Sequence, residues 1–332
     1  TDTEITLGMS AAFSGTSREL GQQMKLGLSA AFERANEQGI HGRRLRLVAL
    51  DDGYEGQKAA INAVELIEKY KVFAMIGEVG TATSQSAASI SVERKTLFFG
   101  PFSGASSLRL VPPARYVFNY RASYEEETAY MIRYLVDSKK TPVSGIVVFA
   151  QRDSYGDAGF EGVSSALKKR GYKDSDVLRV GYDRNSLDVS SAVDEVLRYH
   201  NARGASGPAH PVKAVVMIAT YKAAARFIRD VRAKKLDFLF LNVSFVGSNQ
   251  LLEELSESGG GAGVGTIITQ VVPHFESSIA GVVAYREALG KYHPDQQPGF
   301  LSLEGFIVGT LFVEGLKRVG RDLDTERLVG AL

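Results

Sequence analysis

Residues 72–84 read VFAMIGEVGTATS. The apolar run at 72–76 lacks clean alternation, as expected of a strand buried on both faces of a parallel sheet. A small, polar loop follows, Gly77-Glu78-Val79-Gly80-Thr81-Ala82-Thr83-Ser84, and after it a helix. The same order recurs in both directions. Apolar runs stand at 5–9, 45–50, 97–99, 146–150, 214–219 and 266–272. Between them, periodicity predicts helices over 20–36, 56–70, 125–136, 159–170, 189–199, 223–233, 279–289 and 303–319. The first places Met24, Leu28, Ala31 and Ala35 on one stripe, and the second does so with Ala59, Ala63, Leu66 and Ile67. Strand–helix alternation predicts an α/β fold of doubly wound parallel sheets with helices on both faces.

The rhythm runs from Ile5 to about Tyr120 and restarts near Ser144. This predicts two α/β lobes joined around 119–121, with no close sequence repeat between them. The expected division is 1–120 plus 273–332 for one lobe and 121–272 for the other. Segments 201–213 (NARGASGPAHPVK) and 256–263 (SESGGGAG) read as mobile surface loops.

Composition narrows the function. Of 332 residues, 44 % are hydrophobic and 23 % charged, enough to bury a large core without staples. Lys plus Arg is 39 and Asp plus Glu is 38, a formal charge of +1. That leaves no basic surplus for a run of phosphates and argues against nucleic acid as a partner. The absence of cysteine excludes disulfides, thiolate metal sites and cysteine nucleophiles. No apolar run reaches the roughly 18 residues needed to span a bilayer. The longest, 301–316, is interrupted by Glu304, Gly305, Gly309, Glu314 and Gly315. Thr1 stands directly before a strand, as in a mature chain that has lost a signal peptide or in a trimmed one.

Enzyme signatures are missing. No G-x-G-x-x-G opens a helix after a strand; Gly259, Gly260, Gly261, Gly263 and Gly265 precede a strand instead. There is no phosphate-binding G-x-x-x-x-G-K-[ST]. Gly100-Pro101-Phe102-Ser103-Gly104 has its serine one place late for a nucleophile elbow. The five histidines, at 41, 200, 210, 274 and 293, show no metal spacing. Asp51-Asp52 reads as a polar loop before a helix. No catalytic residue, metal or cofactor is expected.

The informative residues are small and polar and stand after strands. In open α/β sheets, ligands bind beyond the carboxyl ends of the strands. The loops 77–84 and 100–104 offer backbone N–H groups, hydroxyls and a helix N-terminus, which together hold an anion without Lys or Arg. Plain N-capping by Thr81 or Thr83 explains the first loop equally well. In the second lobe, Asp153-Ser154-Tyr155-Gly156, Thr220-Tyr221 and residues 244–249 follow apolar runs. Tyr155 and Tyr221 can wall a pocket or be ordinary loop aromatics.

These residues resemble a known family, the type I periplasmic solute-binding proteins of branched-chain amino acid (leucine/isoleucine/valine) ABC transporters. The resemblance spans the chain. It rests on ITLGMSAAFSG, LGQQMKLGLSAAFERANEQGIHGRRLRLVALDDG, IGEVGTATSQSAAS, FFGPFSGA, DSYGDAGF and ATYKAAARFIRDVR in that order and spacing. RYVFNYRASYEEET and LNVSFVGSNQ resemble a subgroup whose ligands vary. The family implies two lobes that close on a small-molecule ligand at a hinge, delivery to a membrane permease, no catalysis and an extracytoplasmic location, with or without a lipid anchor on the precursor. It places the carboxylate-binding hydroxyl on Thr81, with assistance from the backbone of Phe102, Ser103 and Gly104. Aromatic contacts fall on Tyr155 and Tyr221, a wall position on Leu20, and a second-lobe contact on Asn249. A ligand-sensing ectodomain feeding a signalling partner is the alternative on the same fold, and oligomeric state stays open.

Two departures matter. Amino-acid binders of the family usually carry a carboxylate where this chain has Asn249, and often a hydroxyl where it has Gly104. Both partners of a ligand ammonium are therefore weakened, and an ammonium buried without counter-charge is costly. Glu304, Glu78 and Glu19 are the candidate substitutes. The pattern favours a small carboxylate or neutral polar ligand over a zwitterionic amino acid. The family also continues past the helix near 303–319 and returns to the second lobe, whereas this sequence stops at Leu332.

Overall fold

The computed structural model describes residues 3–205, 211–257 and 263–332. It opens with β1 (Glu4–Ala11), α1 (Arg18–Asn36), β2 (Arg44–Asp51), α2 (Gly56–Glu68), β3 (Ala74–Ile76), α3 (Thr81–Glu93), β4 (Leu97–Phe99) and β5 (Val117–Phe118). There follow α4 (Tyr124–Ile132), β6 (Ile146–Gln151), α5 (Ser154–Lys168), β7 (Leu178–Tyr182), α6 (Ser190–Ala205), β8 (Ala214–Ile218), α7 (Tyr221–Ala233), β9 (Leu239–Asn242), α8 (Ser248–Ser256) and β10 (Ile267–Ile268). Three helices close the chain: α9 (Ala280–Tyr292), α10 (Phe300–Val319) and α11 (Thr325–Ala331).

Contacts divide the chain into two units. Unit 1 is Thr1–Ser103, Ser107–Arg121 and Val272–Leu332; unit 2 is Gly104–Ser106 and Ala122–Val271. Unit 1 holds one parallel sheet in the order β2-β1-β3-β4-β5, and unit 2 another in the order β10-β9-β8-β6-β7. Counted within each unit, both follow the order 2-1-3-4-5. Each therefore has a switch point between its first and third strands, where ligands of doubly wound sheets bind. The α/β reading with two parallel sheets holds.

In unit 1, α2 and α3 press Ala63, Leu66, Ala87 and Ala88 onto Met75 and Phe98 of the sheet. α1 packs against α10, and the crossing needs glycine. A Cβ on Gly27 would lie 1.9 Å from the Ser302 carbonyl oxygen, and one on Gly305 would lie 2.4 Å from that of Met24. In unit 2 the central strands β6 and β8 are buried along their whole length, which is why neither alternates. Phe149 of β6 stacks on Phe227 of α7 with centroids 4.0 Å apart. Burying one such side chain is worth roughly 1.5–3 kcal/mol.

The structure departs from the periodicity in informative places. Strand pairing over 266–272 shrinks to Ile267–Ile268, an edge strand bonded to β9 alone. β7 was not legible because Arg179 and Gly181 interrupt its apolar run, and only three of its five residues are buried. β5, α8 and α11 are too short for a periodic signal. α5 begins at Ser154 rather than 159, because the Asp153 carboxylate accepts from the amides of Tyr155 (3.0 Å) and Gly156 (3.5 Å) and so caps it. The expected helix over 125–136 ends as α-helix at Ile132 and continues as a π-helical turn, Arg133–Ser138. Its start is a capping box of Ser123 and Glu126. Within the expected loop 201–213, α6 persists to Ala205; 206–210, and 258–262 of the other expected loop, lie outside the described residues.

Candidate functional site

Beyond its sheet, unit 1 extends the β3–β4 pairing by one bridge, Val79 to Phe102. The Phe102 amide donates to the Glu78 carbonyl (2.7 Å) and the Gly80 amide to the Phe102 carbonyl (3.2 Å). The two loops singled out by their composition are thus tied together. Phe102's own N–H is engaged in that tie, so of the expected backbone assistance it cannot supply a donor. Gly80 is the N-cap of α3 and no side chain caps the helix. Thr83 Oγ1 turns back to the Val79 carbonyl, and Thr81 Oγ1 lies 2.9 Å from Ser103 Oγ. Neither threonine caps α3, which removes the plain capping explanation. What remains is a pair of buried hydroxyls beside first-turn amides that have no acceptor within the helix.

A cationic group lies against this loop. The Arg121 guanidinium sits 4.4 Å from the centroid of the Phe102 ring. Its Nε is 3.5 Å from Glu304 Oε1, and the two side chains are 0 % and 4 % exposed. Arg109 donates to the carbonyls of Ser103 (3.2 Å) and Arg121 (2.8 Å), which fixes the backbone on both sides of the ring. Glu304 is thus balanced by an arginine from its own unit. Glu19 pairs with Arg18 at 3.1 Å near the surface. Leu20 is fully buried in the first turn of α1.

At the unit 1 switch point stand two buried acids. Asp52 accepts from Ser10 Oγ (2.8 Å) and from the Tyr54 amide (2.8 Å), and burial pushes its carboxyl up to about 6. Glu78 is 0 % exposed, and neither of its carboxyl oxygens has a hydrogen-bond partner among the described residues. Burial raises it well above the usual carboxylate range, and the charge of Asp52 adds to the shift. Asp51, exposed at the same turn, instead holds Ser14 and the amides of Phe13 and Gly53 and is lowered. The Asp51-Asp52 turn is a loop before a helix, as expected, but Asp52 is a core residue.

In unit 2, Tyr155 and Tyr221 lie in the first turns of α5 and α7 rather than in loops. The Tyr155 ring meets Phe245 (centroids 4.6 Å) and Tyr124 (5.3 Å), and its hydroxyl lies 3.5 Å from the Ala219 carbonyl. Gly104 accepts from the Tyr124 amide at 2.8 Å, and a Cβ there would stand 2.7 Å from that nitrogen and 2.6 Å from the ring. A side-chain hydroxyl at this position has no room here. The switch point between β6 and β8 is knitted by Tyr182, whose hydroxyl donates to Gln151 Oε1 (3.0 Å) and accepts from the Thr220 amide (2.9 Å). Burial raises both that hydroxyl and the Asp153 carboxyl. Asn249, in the first turn of α8, has an Oδ1 with no hydrogen-bond partner among the described residues.

The geometry therefore joins Thr81, Phe102 and Ser103 in unit 1, and Tyr155 with Tyr124 and Phe245 in unit 2. Arg121, Arg109, Tyr124 and Phe245 were not singled out by sequence. For Arg121 a signal existed: a lone arginine among aromatic and small residues where the strand–helix rhythm restarts.

Comparison with known proteins agrees with this architecture. The profile of the family described as "Periplasmic binding protein" matches residues 4–332. A solved structure, a possible leucine/isoleucine/valine-binding protein from Rhodopirellula baltica SH 1, is 37 % identical with a TM-score of 0.91, covering 99 % of this chain and 85 % of that one. A substrate-binding periplasmic protein from Ralstonia solanacearum is 26 % identical with a TM-score of 0.86, over 98 % of this chain and 88 % of that one. Among curated proteins, an amino acid binding protein of Pseudomonas aeruginosa is 23 % identical over 264 residues, 78 % of this chain. The match spans 64 % of that relative's length.

Proposed function

Because the chain belongs to the periplasmic binding protein family, we propose that it is the extracytoplasmic solute-binding component of an ABC importer and hands its ligand to a membrane permease. The ligand of this reading is a small carboxylate or neutral polar compound. Its acidic end sits on Thr81, Ser103 and the first-turn amides of α3. Tyr155, Tyr221 and Asn249 of unit 2 meet the rest as the two units close on it. Leu20 and the Phe102 ring line the unit 1 side.

The observation that carries the reading is the buried ion pair between Arg121 and Glu304. An α-amino acid brings an ammonium group that needs an ionised acid once water is excluded. Position 249 is an asparagine, which supplies a hydrogen bond but no charge. Glu304 is already balanced, Glu19 is held by Arg18, and Glu78 is kept toward its neutral form by burial. Two relatives are named as binders of amino acids, and the residues above depart from that chemistry at the positions that decide it.

Calorimetry with leucine, isoleucine, valine and the corresponding 2-keto acids tests this directly. The keto acids are expected to bind more tightly than their amino-acid counterparts. Submicromolar binding of any of the three amino acids, with weaker binding of its keto acid, overturns the ligand class.

A further inference from the structure

Asp52 and Glu78, the buried acids at the unit 1 switch point, take no part in the function as described. Glu78 is the last side chain before the Val79-Gly80-Thr81 turn, so its Cα is within about 11 Å of that of Thr81 at full chain extension. Around the pair stand Ser10 of β1, Asn62 of α2 and the turn after β2. Asn62 donates to Ser10 Oγ (3.1 Å), which in turn donates to Asp52. The Tyr54 ring packs where a Gly80 side chain would begin, 2.5 Å from the ideal Cβ. The charged groups facing Asp52 are acids, Asp51 and Glu55, and Asp52 itself acts on Glu78. Lys58 of α2 reaches over Gly53, and no salt bridge joins it or any other cation to Asp52 or Glu78 among the described residues.

We propose that Glu78, backed by Asp52, is the proton-coupled acid of the ligand site: the carboxylate of an acidic ligand binds at Thr81 with Glu78 in its neutral form, so that binding takes up a proton. This rests on the acidic-ligand reading above. The physical ground is geometric. A fully buried carboxyl without a cation cannot spread its charge into water, and the negative charge of Asp52 opposes its ionisation further. Where Glu78 has lost its proton in the free protein, the ligand anion draws one proton from solvent onto the Glu78 carboxylate. Where Glu78 already holds it, no net transfer occurs. Affinity is then flat at acid pH and falls at alkaline pH, by up to tenfold per pH unit.

The experiment is calorimetry of the full chain with the three 2-keto acids, in buffers of different ionisation enthalpy, at about pH 5 and about pH 9, bracketing the range known for buried glutamates. Expected is almost no proton uptake at the lower pH and an uptake approaching one proton at the higher. Glu78→Gln should bind at both with no uptake. Binding without uptake in the unsubstituted protein, or uptake that persists in Glu78→Gln, overturns the inference and leaves the ligand class standing. Absence of binding by every keto acid overturns the ligand class and this inference with it. Should Glu78→Gln fail to fold, Asp52→Asn decides: removing an ionised neighbour lowers the proton affinity of Glu78, so the onset of uptake should shift to lower pH. As Asp52 titrates at about 6, it is ionised at alkaline pH, so a shift to lower proton affinity of Glu78 is expected, and an unchanged onset overturns the inference.

Discussion

Replacing Arg121 by methionine should be among the most damaging single substitutions in unit 1. Its guanidinium is fully buried, stacked on Phe102 and paired with Glu304. Methionine keeps an unbranched stem over the ring but strands the Glu304 carboxyl in the core of α10. Breaking a buried pair from one side costs about 3–5 kcal/mol, of which the lost cation–π contact accounts for about 1. For a unit of this size that corresponds to a fall in melting temperature of roughly 6–20 °C. The companion Arg121→Met/Glu304→Leu removes both charges and should recover most of the loss, since apolar replacements of a buried pair are often neutral. The chain contains no tryptophan, so unfolding in guanidinium is followed by far-ultraviolet circular dichroism, with two transitions fitted for the two units. A cost below about 1 kcal/mol for Arg121→Met, or a coupling energy near zero in the double-mutant cycle, refutes the claim that Glu304 is balanced by Arg121. That result would also return Glu304 to the list of acids available to a ligand ammonium.

Three further outcomes are expected. Thr81→Val should weaken binding of an acidic ligand by about 10- to 150-fold, the equivalent of a hydrogen bond to a charged group at about 1.5–3 kcal/mol; unchanged affinity in calorimetry rejects the anion site. Gly104→Ser should destabilise unit 2 by about 1–3 kcal/mol in a denaturant titration, because its Cβ runs into Tyr124; a neutral result means that the backbone at 104 yields. Asp52→Asn should flatten part of the pH dependence of stability. The Asp52 pKa is raised by folding from 3.8 to about 6, so the folded state binds the proton more tightly and stability falls as pH rises through that window. The contribution is on the order of 3 kcal/mol, and a difference curve between the two proteins without a slope between about pH 4 and 6 contradicts it.

How much of this was legible depends on the range of the interaction concerned. β3, β4, β6 and β8 could be read because strands buried on both faces must be apolar throughout, a local property of the chain; β1 and the half-exposed edge strand β2 were read from the apolar runs 5–9 and 45–50 within them. β5 and β7 could not: β5 is two residues long and β7 carries Arg179 and Gly181, while β10 was read as the longer run 266–272 of which only two residues pair. Thr81 and Ser103 could be singled out because each stands just after a strand, where doubly wound sheets bind ligands. Their hydroxyls' approach to 2.9 Å depends on the bridge between Val79 and Phe102, which joins loops 22 residues apart.

The sequence by itself determined the α/β class, the strand–helix rhythm with its restart, and the absence of cysteine and phosphate-binding motifs. All of these follow from composition, periodicity and the chemistry of single residues. Tertiary structure alone decided which charges are spent. Glu304 and Arg121 lie on separate elements far apart in the chain, and only folding brings them to 3.5 Å and takes both out of water. Likewise nothing local distinguishes Glu78 from any loop glutamate. Its burial, and with it the shift toward the neutral form, arises from β1, the turn after β2 and α2 converging on one end of the sheet. The energy of a charge depends on what surrounds it in three dimensions, and that is the part of the protein a linear reading does not contain.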